Sequence, residues 1–148
     1  MSYLFVDPGK STGWATFNDM ALPTGRGICK GVEAWNEWLK DKEPFKIVGY
    51  EEYQLFAHKA IAQVGSKMDT SQAIGVLKVY TAKWDSQVVP QRPQCWKLGC
   101  MYSGEKVPKG HPPDDKAAYW HGIYYLTKHG LINSVLTKNK IIVRPPRD

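Results

Sequence analysis

The opening segment MSYLFVDPGKSTGWATF constrains the rest of the chain more than any other. Two apolar runs, residues 3–6 and 14–17, flank a Pro8-Gly9 tight-turn signal, and Gly13 adds backbone freedom before the chain returns. This predicts an antiparallel hairpin whose first strand ends at Asp7. Residues 26–30 read as a third strand. Residues 31–41 carry Val32, Trp35 and Leu39 at helical spacing, and FKIVGYE reads as a fourth strand ending at Glu51. Within residues 55–84 a linker leads into a long helix. Asp69, Thr70 or Ser71 is placed to cap it, and Ile74, Leu77, Val79 and Ala82 build its buried side. SQVVPQRP supplies a fifth strand that Pro90 terminates. Residues 95–110 read as loop. A last helix runs from near Asp114 towards His129, with Gly130 as its stop, and a Pro/Arg tail from about residue 138 is expected to be mobile. Strands and helices mixed in this order predict an α/β fold, a sheet covered by helices, in a single domain over residues 1–148.

The net charge of +6 favours a polyanionic partner such as nucleic acid. Three cysteines, Cys29, Cys95 and Cys100, suit reduced thiols in an intracellular protein rather than a disulfide framework. Cys95 and Cys100 with His111 lack the second close pair that a four-ligand zinc site needs. No apolar run is long enough to span a bilayer, which predicts no membrane partner and a cytoplasmic location.

Three acids stand at element ends: Asp7, Glu51 and Asp114. Each has an ordinary explanation, a solvated strand boundary or a helix N-terminal charge. Brought together, they repel unless a cation neutralises them. Mg²⁺ takes oxygen ligands and keeps waters, and two such ions roughly 4 Å apart position a water and stabilise the leaving oxygen in phosphodiester cleavage. A basic protein with that cluster is a nuclease candidate.

The segments LFVDPGKSTGWATF, IVGYEEYQLF with QVGSKMDTSQAIG, and HPPDDKAAYWHGIYYL follow one another as do the motifs of RuvC-type Holliday junction resolvases, and especially resemble the bacteriophage-type members. The resemblance spans residues 3–126. It implies an RNase H-like fold, with a five-stranded mixed sheet flanked by helices. It also implies a homodimer that cuts four-way DNA junctions by paired nicks, using two Mg²⁺ ions per site, with Mn²⁺ as substitute. Carried onto this sequence, the family's acids fall on Asp7, on Glu51 (Glu52 being the neighbour most easily confused with it) and on Asp114. The family's fourth acid falls on Ala117, where a ligand is missing. Residues three apart share a helix face, so an acid at 117 would point where Asp114 points. Either Ala117 replaces a catalytic Asp in an inactivated nuclease, or the chain is a divergent member using Asp115. On this reading the chain binds metal poorly and cleaves slowly or not at all.

Lys10, Lys59, Ser66, Lys67 and Gln72 are candidate DNA contacts, although a polar turn and helix start would explain them equally. Tyr53, Phe56, Trp96 and Tyr102 are candidates for stacking on exposed bases. His121 is placed either to support the metal site or simply to pack a helix. A junction-binding protein without catalysis and another RNase H-like nuclease are the competing readings. DPGKSTGW also resembles the phosphate turn of actin-like ATPases, whose two domains this chain is too short to hold.

Overall fold

Alternation along the strands divides the interior into two cores, one on each side of a single sheet. The computed structural model describes residues 2–52 and 64–132, the side chains of 64–68 excepted. Its elements are β1 (Tyr3–Asp7), β2 (Ser11–Phe17), β3 (Pro23–Lys30), α1 (Val32–Lys40), β4 (Ile47–Glu51), α2 (Val64–Trp84), β5 (Gln87–Gln91), α3 (Gln94–Tyr102) and α4 (Asp114–Lys128). The sheet order is β3-β2-β1-β4-β5, antiparallel through the hairpin strands and parallel from β1 to β5. This is the five-stranded mixed sheet flanked by helices expected from the sequence.

Leu4, Val6, Val48 and Tyr50 face α1 and α2, where Trp35, Leu39, Ala73 and Leu77 complete one core. Tyr3, Phe5 and Ile47 face the opposite side, against Ile123, Tyr125 and Leu126 of α4. Asp7 keeps step with Tyr3 and Phe5, and Glu51 keeps step with Ile47, so both turn towards α4. Trp96 and Cys100 of α3 join Trp120 in a smaller cluster on that side. Among the described residues, no helix is long and apolar enough to cross a membrane.

Several elements differ from the sequence reading. β3 starts at Pro23 rather than 26, because its exposed edge residues carry no apolar alternation. Residues 95–102, read as loop, belong to α3, which begins at Gln94. Its buried residues are Trp96, Gly99 and Cys100, a helical stripe concealed by the glycine. That glycine serves packing, not a turn: a Cβ at Gly99 would overlap the backbone carbonyl of Trp120. α2 begins at Val64, ahead of the expected cap at 69–71. Its buried line is Ala73, Leu77 and Thr81 at i, i+4, i+8, whereas Val79 and Ala82 are exposed. Pro90 lies inside β5 rather than ending it. β5 is an edge strand, where the missing N–H of proline is tolerated.

Candidate metal centre

Backbone register, not side-chain reach, brings the acids together. Asp7 is the last residue of β1 and sits opposite Gly13 of β2. On its other side β1 runs parallel to β4 in a register that pairs Val6 with Tyr50, so the next step sets Asp7 level with Glu51. α4 begins directly above Gly13, where a Cβ would overlap the carbonyl group of Asp114. Glycine at 13 therefore lets the helix start lie on the strand backbone, and Asp114 arrives beside Asp7.

The three acids are graded in exposure. The Asp7 side chain is 6% exposed, that of Glu51 18% and that of Asp114 31%, so the site deepens from α4 towards the sheet. Burial first, then the negative charges of Glu51 and Asp114, push the Asp7 carboxyl from 3.8 up to about 9. Burial also raises Asp114. Glu51 moves the other way: burial, the largest single influence, works against its ionisation, but His121, a hydrogen bond from Asp7 and the nearby His111 together outweigh it and hold the carboxyl below its ordinary range.

His111, weighed in the sequence only beside Cys95 and Cys100, stands instead with the acids. It stands three residues before Asp114, in the run His111-Pro112-Pro113 that leads into α4. One ligand atom each from Asp7, His111 and Asp114 lie within 4.8 Å of one another. The ring Nδ1 is 2.7 Å from the Pro112 carbonyl, which only accepts, so Nδ1 carries a hydrogen and, in the neutral ring, Nε2 presents a lone pair. That Nε2 lies 3.5 Å from Asp7 Oδ2, a buried oxygen with no hydrogen-bond partner. A nitrogen lone pair and a carboxylate oxygen facing each other across that distance need a proton or a cation between them. Trp96 meets the His111 ring edge-on and itself stacks on Trp120. α3 thereby supports the imidazole. The available signal in the sequence was the His-x-x-Asp spacing, with two prolines stiffening the approach.

Among the described residues, Asp7, Asp114 and the His111 nitrogen oriented by a backbone carbonyl are close enough together to fit a divalent cation, while Glu51, held by His121, stands outside that group of three. The other sequence candidates lie elsewhere. Glu52 is exposed and turns to the α2 side, lining an open depression with Tyr50 and Lys78. Asp115 pairs with Arg26 of β3 at 3.5 Å. Ala117 is fully buried and offers no ligand atom, on the helix face shared by Asp114 and His121. Lys10 is exposed in the turn after β1, and Gln72 is exposed on α2. Lys59, Tyr53 and Phe56 lie outside the described residues, as do the side chains of Ser66 and Lys67. Trp96, a stacking candidate, is instead 5% exposed and belongs to the core, while Tyr102 is half-buried and stacks on Tyr124.

No family model and no curated protein matches the chain. Among solved structures, it is similar to T. thermophilus RuvC in complex with Holliday junction substrate. The TM-score is 0.62 and the identity 12%, over 95% of this chain and 97% of that one. A second Thermus thermophilus RuvC structure gives a TM-score of 0.59 and an identity of 14%, over 88% and 94% of the two chains. At these identities the likeness is one of fold, and the fold is that of RuvC, the RNase H-like sheet with flanking helices.

Proposed function

We propose that this protein is a divalent-metal-dependent DNA endonuclease selective for four-way junctions, acting as a homodimer that makes paired nicks. The observation that carries it is the buried, unpartnered Asp7 Oδ2 facing His111 Nε2 at 3.5 Å, with Glu51 and Asp114 beside it. The shared fold with a RuvC bound to Holliday junction substrate supports the choice of DNA. So does the net charge of +6.

Asp7, Glu51, Asp114 and His111 would hold the metal, Mg²⁺ or Mn²⁺, with two ions per site as the resemblance implies. When bound, the metal activates water and offsets charge on the phosphate. The water oxygen bonds to phosphorus as the bond to the 3′ oxygen breaks, leaving a 5′-phosphate and a 3′-hydroxyl. The chain's own part is orientation. Asp7 is fixed by the sheet, Asp114 by the helix start on Gly13, and the His111 ring by its Pro112 contact. Lys10, exposed in the turn beyond Asp7, would meet a phosphate. In this arrangement His111 supplies a donor from before the helix while Ala117 supplies none. Three carboxylates and an imidazole carry less negative charge than four carboxylates and suit Mn²⁺ better than Mg²⁺.

The test is cleavage of a labelled synthetic four-way junction in each metal. Cutting is expected in Mn²⁺, faster than in Mg²⁺, and lost in Asp7→Asn. His111→Ala should cost tenfold or more in rate, on the order of a ligand-shell loss. Intact junction in both metals, with tight junction binding, would instead establish the competing reading favoured by Ala117: a junction-binding protein without catalysis. If Ala117→Asp then restored cutting, position 117 rather than His111 would be the decisive gap.

A further inference from the structure

We propose that His121 is a positioning residue for Glu51, a buried tether that leaves one carboxylate oxygen free for the cation. This rests on the reading of Glu51 as a metal-holding acid. His121 is fully buried, two turns along α4 from Asp114, and its Nε2 lies 3.1 Å from Glu51 Oε1. A carboxylate oxygen accepts, so Nε2–H donates. The opposite ring nitrogen, Nδ1, is buried with no partner, and a hydrogen there as well would be a buried donor without an acceptor. The ring therefore has one task, to donate to Glu51.

The tether is anchored from a third direction. Gln91 is the register partner of Glu51 on the β4–β5 ladder, and its side-chain amide donates to the His121 backbone carbonyl at 3.3 Å. The Glu52 N–H donates to the Gln91 carbonyl at 2.6 Å, holding the strand end closed. Gly122 sets the height of this helical turn above the sheet, since a Cβ there would come within 2.8 Å of both Phe5 and Phe17. β4, β5 and α4 thus meet at one histidine. A glutamate carries three side-chain torsions that an untethered chain end would sample. With Oε1 engaged, Oε2 has a fixed direction, and the centre does not have to order this ligand on binding.

The experiment compares wild type, His121→Gln and His121→Phe in Mn²⁺ affinity, read from the free-ion electron paramagnetic resonance signal. Gln places an amide N–H where Nε2 stood; Phe keeps ring volume without a donor. Affinity is expected to fall tenfold or more in His121→Phe and to stay within about threefold of wild type in His121→Gln. Equal losses in both, or no loss in Phe, would overturn the inference. Should His121→Phe fail to fold, His121→Asn, too short to reach Glu51, takes its place with the same expectation. The contact itself is read separately in chelator-treated protein by long-range ¹H–¹⁵N correlation. His121 should appear as the Nε2–H tautomer, with a proton shift that moves in Glu51→Gln. Absence of that dependence sinks the tether even in an active nuclease. If wild type binds no Mn²⁺ while the contact is seen, the metal reading of Glu51 fails and the tether stands as a property of the fold.

Discussion

Replacing Asp7 with asparagine should stabilise the protein when divalent metal is stripped away. In the folded state the Asp7 carboxyl keeps its proton up to about pH 9, whereas the unfolded chain releases it near 3.8. Between those values the native state holds the extra proton, so stability falls as pH rises through the window. At about 1.4 kcal/mol per unit, the strain at pH 7 is on the order of 4 kcal/mol, shrinking to under about 1 kcal/mol near pH 4. Asparagine has nearly the same shape, carries no charge, and can donate to the neighbouring acids. At roughly 2–4 °C per kcal/mol for a chain of this size, Asp7→Asn should melt on the order of 10 °C above wild type at pH 7 in chelator. The two curves should converge towards pH 4. Scanning calorimetry of both proteins at several pH values checks this, and the difference between them cancels the titration of groups they share. Added Mn²⁺ should raise the wild-type Tm with concentration and leave Asp7→Asn nearly unmoved, because only a native state that binds the ion gains from it. A gap that stays constant across pH, or a mutant less stable than wild type at pH 7, would refute the burial argument for Asp7.

Gly13→Ala should be among the most damaging single-methyl additions in the chain. Its Cβ overlaps the backbone of the α4 start, so destabilisation of about 1–3 kcal/mol or more is expected in urea unfolding. Mn²⁺ affinity should fall with it as Asp114 is displaced; a fully folded variant with wild-type affinity would show that this contact does not set the site. Ala117→Asp places a carboxylate at a fully buried position between Asp114 and His121 on one helix face. It should lower the melting temperature in chelator by several degrees and raise the ratio of Mg²⁺- to Mn²⁺-supported cleavage, and an unchanged ratio would count against position 117 facing the metal.

The order of strands was legible because apolar runs and turn residues report directly on local backbone. The three acids were legible because each closes such a run: Asp7 after LFV, Glu51 after IVGY, Asp114 after Pro-Pro. Even the choice of Glu51 over Glu52 follows from alternation, since β4 turns the former towards α4 and the latter towards α2. His111 is hard to read from the sequence because its one local mark, the His-x-x-Asp spacing, names no partner. Its partner Asp7 lies more than a hundred residues away, and only the register of β1 on β2 and the seating of α4 bring the two together. α3 was concealed for a related reason. Gly99 resembles a breaker until its packing partner, the Trp120 carbonyl, is in view. The buried line of α2 was misplaced because Thr81, a polar residue, takes a core position that Val79 leaves for solvent.

The seat of α4 on Gly13 has a wider implication for how such a protein changes over time. Strand and helix touch there through main chain alone, so the frame is indifferent to which side chains project from it. The side chains of Asp7, His111 and Asp114 are then carried on a fixed mount. Substitution at the exposed rim, where Asp114 and His111 stand, asks less of that architecture than substitution at Gly13, whose missing side chain makes room for the helix.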